Sequence, residues 1–278
     1  MPDWLASGVG EDVAYWIAYL TNGKHQAWYA SVQFTLFAAF AGAAIALLLG
    51  LGGASLKNAP FAPFRWLATG YINMVRGVPD VLFFLFFPLV FEQATEAVLA
   101  SQICDASTVA LRAGQWPPCE AANLHFGSFE YLILASVSLG IIYGASTANV
   151  VAGAMNAVAK GQLEAARAFG MSRSQVLWRI QIRQMWIYAL PGLSNVWMLL
   201  IKSTSLLSLL QIVDIVRWAD RLGAPNFNRA AGAVHGDWRW GYYLALLVFY
   251  IALTFASEKA FAALTRRAGR GMLAAARS

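Results

Sequence analysis

Charged residues that interrupt apolar stretches are the part of this sequence with the clearest chemistry. Lys202 lies within one apolar run, and Arg76 and Asp80 bracket an interruption between two others. A charge near the centre of a bilayer costs at least about 2.5–3.5 kcal/mol, so such residues are functional candidates by default. We expect Arg76 and Asp80 to pair and hold the interruption open; contact with a bound solute is the alternative.

Lys202 has two interpretations. It either faces a pathway through the membrane and meets a solute carboxylate, or it extends along its helix to the surface, as long basic side chains do. The end of the predicted span is roughly 12 Å away at 1.5 Å per residue, so the second interpretation needs a stretched side chain. Asn195, Ser203 and Thr204 lie in the same run. Hydrogen bonds between helices explain most such residues, and one or two are candidates to line a path.

Other kinds of site are missing from the sequence. It contains no glycine-rich phosphate loop, no nucleophile beside a base and no carboxylate cluster typical of metal chemistry. The three histidines are isolated, and the two cysteines form no CxxC pair. We therefore expect a chain that is not an enzyme, has no cofactor or metal of its own, and depends on a separate protein for ATP hydrolysis.

The composition places these residues in a membrane. The chain has 278 residues, of which 59% are hydrophobic and 12% charged, whereas soluble domains have about 25% charged residues. Lipid is the simplest cover for this much apolar surface. The net charge of +6 would suggest nucleic acid for a soluble protein, but here the position of the charges indicates orientation instead, and no nucleic-acid partner is expected.

Five apolar stretches are long enough to cross a bilayer as helices. The sequence predicts an all-α membrane protein with a single domain, 1–278, and spans at about 28–56, 64–98, 128–153, 186–210 and 240–261. Gly77 and Pro79 interrupt the second span. Broken backbone at membrane depth persists only where protein or a water-filled cavity covers it, which favours a path over a plain anchor.

The distribution of Lys and Arg predicts that the N-terminus is outside and the C-terminus inside. With that orientation the inner segments hold about twice as many basic residues as the outer ones, as the positive-inside rule requires. The outer parts are then the N-terminal segment 1–27 and the loop 99–127. Cys104 and Cys119 lie in that loop, where an oxidising compartment favours a disulfide; two free thiols are the alternative.

The inner loop, about 157–183, has the features of a docking element. Its sequence favours two short helices joined at Gly170, with Ser172 capping the second. Alanine-rich helix surface lets another protein approach closely. A plain solvated loop is the alternative interpretation.

This loop resembles the inner loop of ABC importer permeases. That family has Glu-Ala-Ala, three residues, Gly, nine residues and Ile-x-Leu-Pro; this chain has the triplet at 164–166, then Gly170, Ile180 and Ile182, with Arg183 replacing the proline. The resemblance implies a type I importer permease fold in which the loop is the coupling helix that sits on an ATPase subunit. It implies ATPase-coupling roles for Glu164, Ala165, Ala166, Gly170, Arg173 and Ile180.

Further segments resemble permeases for polar amino acids. They are Arg76–Asp80, Ile142–Ala145, Ala189–Asn195 and Lys202–Leu206, and the similarity covers about residues 30–262. The chain resembles Q-type subunits of histidine and lysine-arginine-ornithine uptake systems or of opine uptake. The resemblance implies that Lys202, Ser203, Thr204, Asn195, Arg76 and Asp80 are candidates for the translocation path.

The resemblance also implies a mechanism and partners. Import would follow alternating access in a bacterial inner membrane, with solute from a periplasmic binding protein and with ATP and Mg bound by an ATPase homodimer. A second, related permease would complete a heterodimer, with a homodimer as the alternative. Another solute, such as glutamate or glutamine, is the main rival; a channel or a membrane enzyme is a more distant one.

Overall fold

The computed structural model describes residues 13–105, 114–210, 212–228 and 234–275, with side chains to residue 269. Parts of the predicted outer segments 1–27 and 99–127 therefore lie outside the described residues. In the described ranges the chain is helical, and its β-structure is one isolated bridge between Asn226 and His235. The helices are α1 (Gly23–Lys57), α2 (Ala62–Gly77), α3 (Asp80–Ile103), α4 (Ser128–Ala157), α5 (Lys160–Ala168), α6 (Ile182–Ser203), α7 (Ile215–Gly223) and α8 (Arg239–Ala275).

Five helical segments are long and apolar enough to cross a membrane, as the sequence predicts. They are α1, α3, α4, the segment Arg173–Leu210 that contains α6, and Arg239–Gly269 of α8. The segment containing α6 begins with a short α-helical turn and a π-helical turn, Val176–Gln181, and ends in the 3-10 helix Thr204–Leu210. The prediction of an all-α membrane protein is confirmed.

The centre of the bundle is α4, which is the most buried of these segments. Small residues let α1 lie directly against it. A Cβ atom added to Gly50 would come within 2.3 Å of Thr147 Cγ2, and one added to Gly140 within 2.4 Å of Ile45 Cγ2. Close backbone approach of this kind is how membrane helices pack without a hydrophobic driving force between them.

The interruption in the second apolar region lies between α2 and α3. Val78 has extended backbone, and Pro79 precedes the first turn of α3, where its missing amide hydrogen has no cost. The new helix then begins at Asp80 and has 24 residues, so it has the length to cross a bilayer without α2. The Tyr71 hydroxyl holds α2 to α4 by donating to the Ile141 carbonyl at 2.7 Å.

The described part of the loop 99–127, predicted to be outside, is held against the end of α3. Cys104 and Cys119 form a disulfide, with their Cα atoms 5.9 Å apart. Glu96 on α3 is only 4% exposed, and its carboxylate accepts hydrogen bonds from Trp116 Nε1 at 2.6 Å and the Leu124 amide at 3.2 Å. A buried carboxylate is stable only with such partners, so this end of the loop has a defined position.

Candidate functional site

A chain of hydroxyl and carboxylate groups links three helices in the middle of the bundle. The Tyr143 hydroxyl on α4 donates to the Asp80 carboxylate at the start of α3, at 3.3 Å. The same hydroxyl lies 2.5 Å from Ser203 Oγ in the last turn of α6. We call Asp80, Tyr143 and Ser203 the polar cluster.

The polar cluster lies near the midpoint of α4. Tyr143 is about 22 Å from the first residue of this 30-residue helix and about 21 Å from the last, at 1.5 Å per residue. Its ring is 4% exposed, whereas Asp80 is exposed and Ser203 half-buried. The cluster therefore combines a fixed buried hydroxyl with a carboxylate that can accept a ligand.

Two of the predicted path residues, Asn195 and Lys202, lie along one exposed stripe of α6. They are seven residues apart, or two helical turns, and Leu199 between them is 46% exposed. In the described part of the chain Lys202 forms no ion pair. The stripe carries a cation at the height of the polar cluster, because Lys202 immediately precedes Ser203.

Arg76, Asp80 and Thr204 are further polar residues that the sequence predicts as candidates for the path. The expected pairing of Arg76 with Asp80 is wrong: both are exposed, and the described residues contain no ion pair between them. Thr204 is fully buried, donates to the Ile201 carbonyl at 2.7 Å and lies 3.4 Å from the Tyr250 hydroxyl on α8. Its position suits contact between helices rather than contact with a solute.

Tyr143 is the residue that the sequence reasoning missed as a site. In the sequence it stands out only as part of the Ile142–Ala145 segment. A tyrosine within an apolar span is more often an ordinary packing residue, and nothing local indicates that its hydroxyl meets Asp80 and Ser203, which are 63 and 60 residues away. The available signal was the segment's resemblance to amino acid permeases.

The second candidate region is a helical hairpin in the loop at about 157–183. It consists of α5, a turn at Gly170 and the helical turn Arg173–Gln175, and we call it the coupling hairpin. Gly170 has φ of 81°, a left-handed conformation that favours glycine. The amide of Gly170 donates to the Arg167 carbonyl and that of Met171 to the Ala166 carbonyl, so the orphan carbonyls of α5 are satisfied.

The predicted cap of the next turn is confirmed. Ser172 Oγ accepts from the Gln175 amide at 3.3 Å, and Gln175 Oε1 accepts from the Ser172 amide at 2.9 Å. The π-helical turn Val176–Gln181 follows and runs without a break into α6. Any displacement of the coupling hairpin thus acts directly on the helix that carries Lys202 and Ser203.

The coupling hairpin and the π-helical turn that follows it present a mixed apolar and charged surface. Glu164, Ala165 and Arg173 are exposed, whereas Ala166 is buried and Ile180 half-buried. Phe169 is 88% exposed and Trp178 66% exposed. Large exposed aromatic side chains are typical of surfaces that another protein or lipid covers.

Comparison with known proteins shows which family contains these two regions. The family of binding-protein-dependent transport system inner membrane components matches residues 42–270, which include both the polar cluster and the coupling hairpin. The chain belongs to this family. It is a multi-pass permease subunit of an ABC importer in the inner membrane.

Relatives in this family include permeases named for amino acids and opines. The histidine/lysine/arginine/ornithine permease HisQ of Escherichia coli K12 is 31% identical over 86% of this chain and 91% of its own. The octopine permease OccQ of Rhizobium radiobacter is 29% identical over 86% of this chain and 88% of its own. A solved amino acid ABC transporter with histidines covers 87% of this chain and 94% of its own, with a TM-score of 0.62 and 21% identity, and shares its fold.

Within the ranges that the structure describes, no group of three or more His, Cys, Asp or Glu side chains is arranged to hold a metal ion. The side chains of the polar cluster and the neighbouring lysine offer a ligand charge and hydrogen bonds. Asp80 supplies negative charge, Lys202 positive charge and Ser203 a hydroxyl that can donate or accept.

Proposed function

We propose that this permease subunit imports polar amino acids with a cationic side chain, such as histidine, arginine, lysine and ornithine, or the opines related to them. The observation that supports this most directly is the polar cluster: a carboxylate and a hydroxyl meet at mid-bundle, next to a lysine. A free amino acid carries a carboxylate and an ammonium group, so a site with both charges complements it. A cationic side chain on the solute is a second positive group that the exposed carboxylate can bind.

In this proposal Asp80 accepts hydrogen bonds from a cationic group of the solute, and Lys202 meets the solute carboxylate. Tyr143 orients the Asp80 carboxylate and holds it near Ser203. Asn195, two turns along the exposed stripe of α6, and Arg76, beside the break, line the approach. Charge-assisted hydrogen bonds are about twice as strong as neutral ones, so these contacts are sufficient for selectivity without metal or covalent chemistry.

The proposal includes partners that supply energy and solute. An ATPase homodimer binds ATP and Mg and sits on the coupling hairpin, so this chain needs no nucleotide site. A periplasmic binding protein delivers the solute to the outer face, with the N-terminus outside. A second, related permease packs against the exposed stripe of α6 and encloses the path. Alternating access then follows when closure of the ATPase dimer displaces the hairpin and, through the π-helical turn, α6.

The test is uptake and ATP hydrolysis by the complex in lipid vesicles, with its own ATPase, second permease and binding protein. Each amino acid of a panel is presented on the binding protein. Stimulation by basic amino acids or opines is the expected result. Stimulation only by glutamate or glutamine would reject the proposed solute class, and failure to assemble with an ATPase would reject the coupling role.

A matched pair of variants tests the residue roles in the same vesicles. Lys202→Met removes the cation beside the polar cluster and should lower uptake strongly while the complex still assembles. Lys259→Met removes an exposed cation on α8 and should leave uptake unchanged. Equal uptake by both variants would contradict the role of Lys202.

A further inference from the structure

Among the described residues, two carboxylate–tyrosine pairs join α3 to α4, and one of them lies outside the polar cluster. In this second pair the Tyr131 hydroxyl donates to Glu92 Oε2, as the Tyr143 hydroxyl does to the Asp80 carboxylate. Glu92 is twelve residues after Asp80 on α3, and Tyr131 is twelve residues before Tyr143 on α4. The two helices are therefore antiparallel here, and the second pair lies about 18 Å from the first, at 1.5 Å per residue.

Glu92 keeps one carboxylate oxygen for a ligand. Its Oε2 accepts from Tyr131, whereas its Oε1 accepts no hydrogen bond from the part of the chain that the structure describes. Glu96, one turn further along α3, differs because both of its oxygens are occupied, by Trp116 Nε1 and by the Leu124 amide. Glu96 thus fastens the neighbouring loop, and Glu92 is the half-buried carboxylate that can accept from a further group.

A cavity of about 440 Å³ lies beside the second pair. This volume is typical of small-molecule sites, which have about 300–1,000 Å³. The walls come from α3, from the start of α4 and from the 3-10 helix that continues α6; they are Leu85, Leu89, Phe126, Gly127, Ser128, Tyr131, Leu209 and Leu210. The cavity therefore lies between the same parts of the chain as the polar cluster, nearer to the end of α4 that is predicted to face outside.

The walls of the cavity favour a positively charged group. The Phe126 and Tyr131 rings meet edge to face with their centroids 6.3 Å apart, and the faces of aromatic rings attract cations. Glu92 adds a full negative charge at the Tyr131 hydroxyl. No Lys or Arg among the described residues lines the cavity, and an apolar ligand would leave the free oxygen of Glu92 without a donor.

We propose that Glu92, Tyr131 and Phe126 form a second solute site, which binds the cationic side chain of the amino acid before it reaches Asp80. This inference rests on the proposed function, from which it takes the solute class and the role of Asp80. The guanidinium, ammonium or imidazolium group donates to Glu92 Oε1 and lies against the Phe126 ring. A free amino acid is shorter than the distance between the two carboxylates, so it occupies one site at a time and passes from the second solute site to the polar cluster.

Uptake by the complete complex in lipid vesicles tests the order of the two sites. Arginine is presented on the binding protein at limiting and at saturating concentrations. Glu92→Gln keeps an oxygen that accepts from Tyr131 but removes the charge. It should lower uptake about 5- to 10-fold at the limiting concentration, because a charge-assisted hydrogen bond is about twice as strong as a neutral one. At saturation uptake should fall less than about twofold, whereas Asp80→Asn should lower it at both concentrations.

Glu130→Gln is the matched control for uptake. It removes one negative charge from the same end of α4, and glutamine can still accept from the Gly127 amide in the capping box. Uptake by this variant should be normal at both concentrations. Equal losses in the Glu92 and Glu130 variants would assign the effect to the general surface charge and overturn the second solute site, as would normal uptake by the Glu92 variant at the limiting concentration.

Direct binding separates this inference from the proposed function. The complex without binding protein or ATP is placed in nanodiscs of phosphatidylglycerol, a lipid with no ammonium group, and equilibrium dialysis measures arginine and its uncharged analogue citrulline. When Asp80→Asn is already present, adding Glu92→Gln should weaken arginine binding about tenfold and citrulline binding less than about twofold. Equal weakening of both ligands, or of neither, would overturn the second solute site alone. A wild-type complex that binds arginine no better than citrulline would contradict the proposed function as well.

Discussion

The coupling hairpin and the polar cluster are built in opposite ways. The hairpin is local: its turn, caps and exposed aromatic residues come from about twenty consecutive residues, and Gly170 and Ser172 determine its shape. The polar cluster is assembled from three helices whose contributing residues are 60 and 63 positions apart. In the proposed function one region is a surface for another protein, whereas the other is an interior contact between parts of the same chain.

Because of this difference, a separate measurement reports on each region. A change at the hairpin should affect association with the ATPase, and transport only as a consequence. A change at the polar cluster should affect transport while association is preserved. Measuring association and transport on the same variant therefore distinguishes the two regions.

The largest effect is expected for Phe169→Asp. The side chain is 88% exposed, so the substitution leaves the fold intact but places a charge in the surface that the ATPase would cover. Co-purification with the ATPase and uptake should both fall at least about 100-fold, as for a buried aromatic anchor of an interface. Phe227→Asp, at a site 79% exposed in another loop, is the control. Normal co-purification by the Phe169 variant would remove the distinction between the two regions.

Asp80→Asn should give the opposite pattern. The substitution keeps the shape of the side chain but removes the charge that would accept a cationic solute, at a cost of about 1.5–3 kcal/mol for a charged hydrogen bond. Uptake should fall about 10- to 100-fold with unchanged co-purification. Asp237→Asn, an exposed carboxylate elsewhere, serves as the control and should transport normally. Loss of the ATPase from the Asp80 variant would show that the regions are not independent.

Tyr143→Phe tests whether orientation of Asp80 matters. The hydroxyl is lost while the ring stays, and uptake should fall about 5- to 10-fold, in line with about 1 kcal/mol for one hydrogen bond. Tyr71→Phe is matched in chemistry, because the Tyr71 hydroxyl on α2 donates to the Ile141 carbonyl on α4, the helix that also carries Tyr143. Measured per folded molecule, its uptake should be normal. Equal losses in both variants would assign the effect to helix packing.

Gly170→Ala should weaken the hairpin by a smaller amount. A side chain in the left-handed conformation costs about 1–2 kcal/mol, so affinity for the ATPase should fall a few-fold. Gly161→Ala adds a methyl group to α5 where no atom lies within 4 Å, and it should leave affinity unchanged or slightly improved. Titration of the ATPase onto each permease variant distinguishes the two.

The pH dependence of folding stability can be measured separately from association and transport. Asp214, at the start of α7, is fully buried, and burial raises its pKa to about 6 from a usual 3.8. The folded protein therefore holds a proton that the unfolded chain releases, and stability from this group is lost as pH rises from about 4 through about 6. The loss is up to about 3 kcal/mol.

Asp214→Asn is the matched variant for that experiment. Asparagine keeps the cap that now accepts from the Arg217 amide at 2.9 Å, but it does not titrate. Between pH 4 and 6 the thermal midpoint of the native protein in detergent should fall relative to that of the variant. Parallel curves for the two proteins would mean that the carboxyl group of Asp214 does not titrate in this range. Uptake per folded molecule at neutral pH should be similar in both.

Much of this fold could be predicted because membrane helices are defined by local composition. The five spans follow from hydropathy, and Gly170 and Ser172 predict the hairpin because turns and caps depend on a few neighbouring residues. The polar cluster could not be predicted in that way. The expected pairing places Arg76 and Asp80 across the interruption, but α2 ends at Gly77 and extended backbone at Val78 separates the two side chains. Only the packed bundle brings Tyr143 to Asp80.

The glycine contacts between α1 and α4 have a consequence for motion. At Gly50 and Gly140 the two backbones approach so closely that a slide of one helix past the other would produce a collision. The pair should therefore move as one rigid body. Ser203 reaches this body through a hydroxyl contact at Tyr143, which can break and form again at little cost, and α6 continues directly from the hairpin. The distance between the Tyr143 and Ser203 hydroxyls should therefore change when α6 moves relative to the rigid pair formed by α1 and α4.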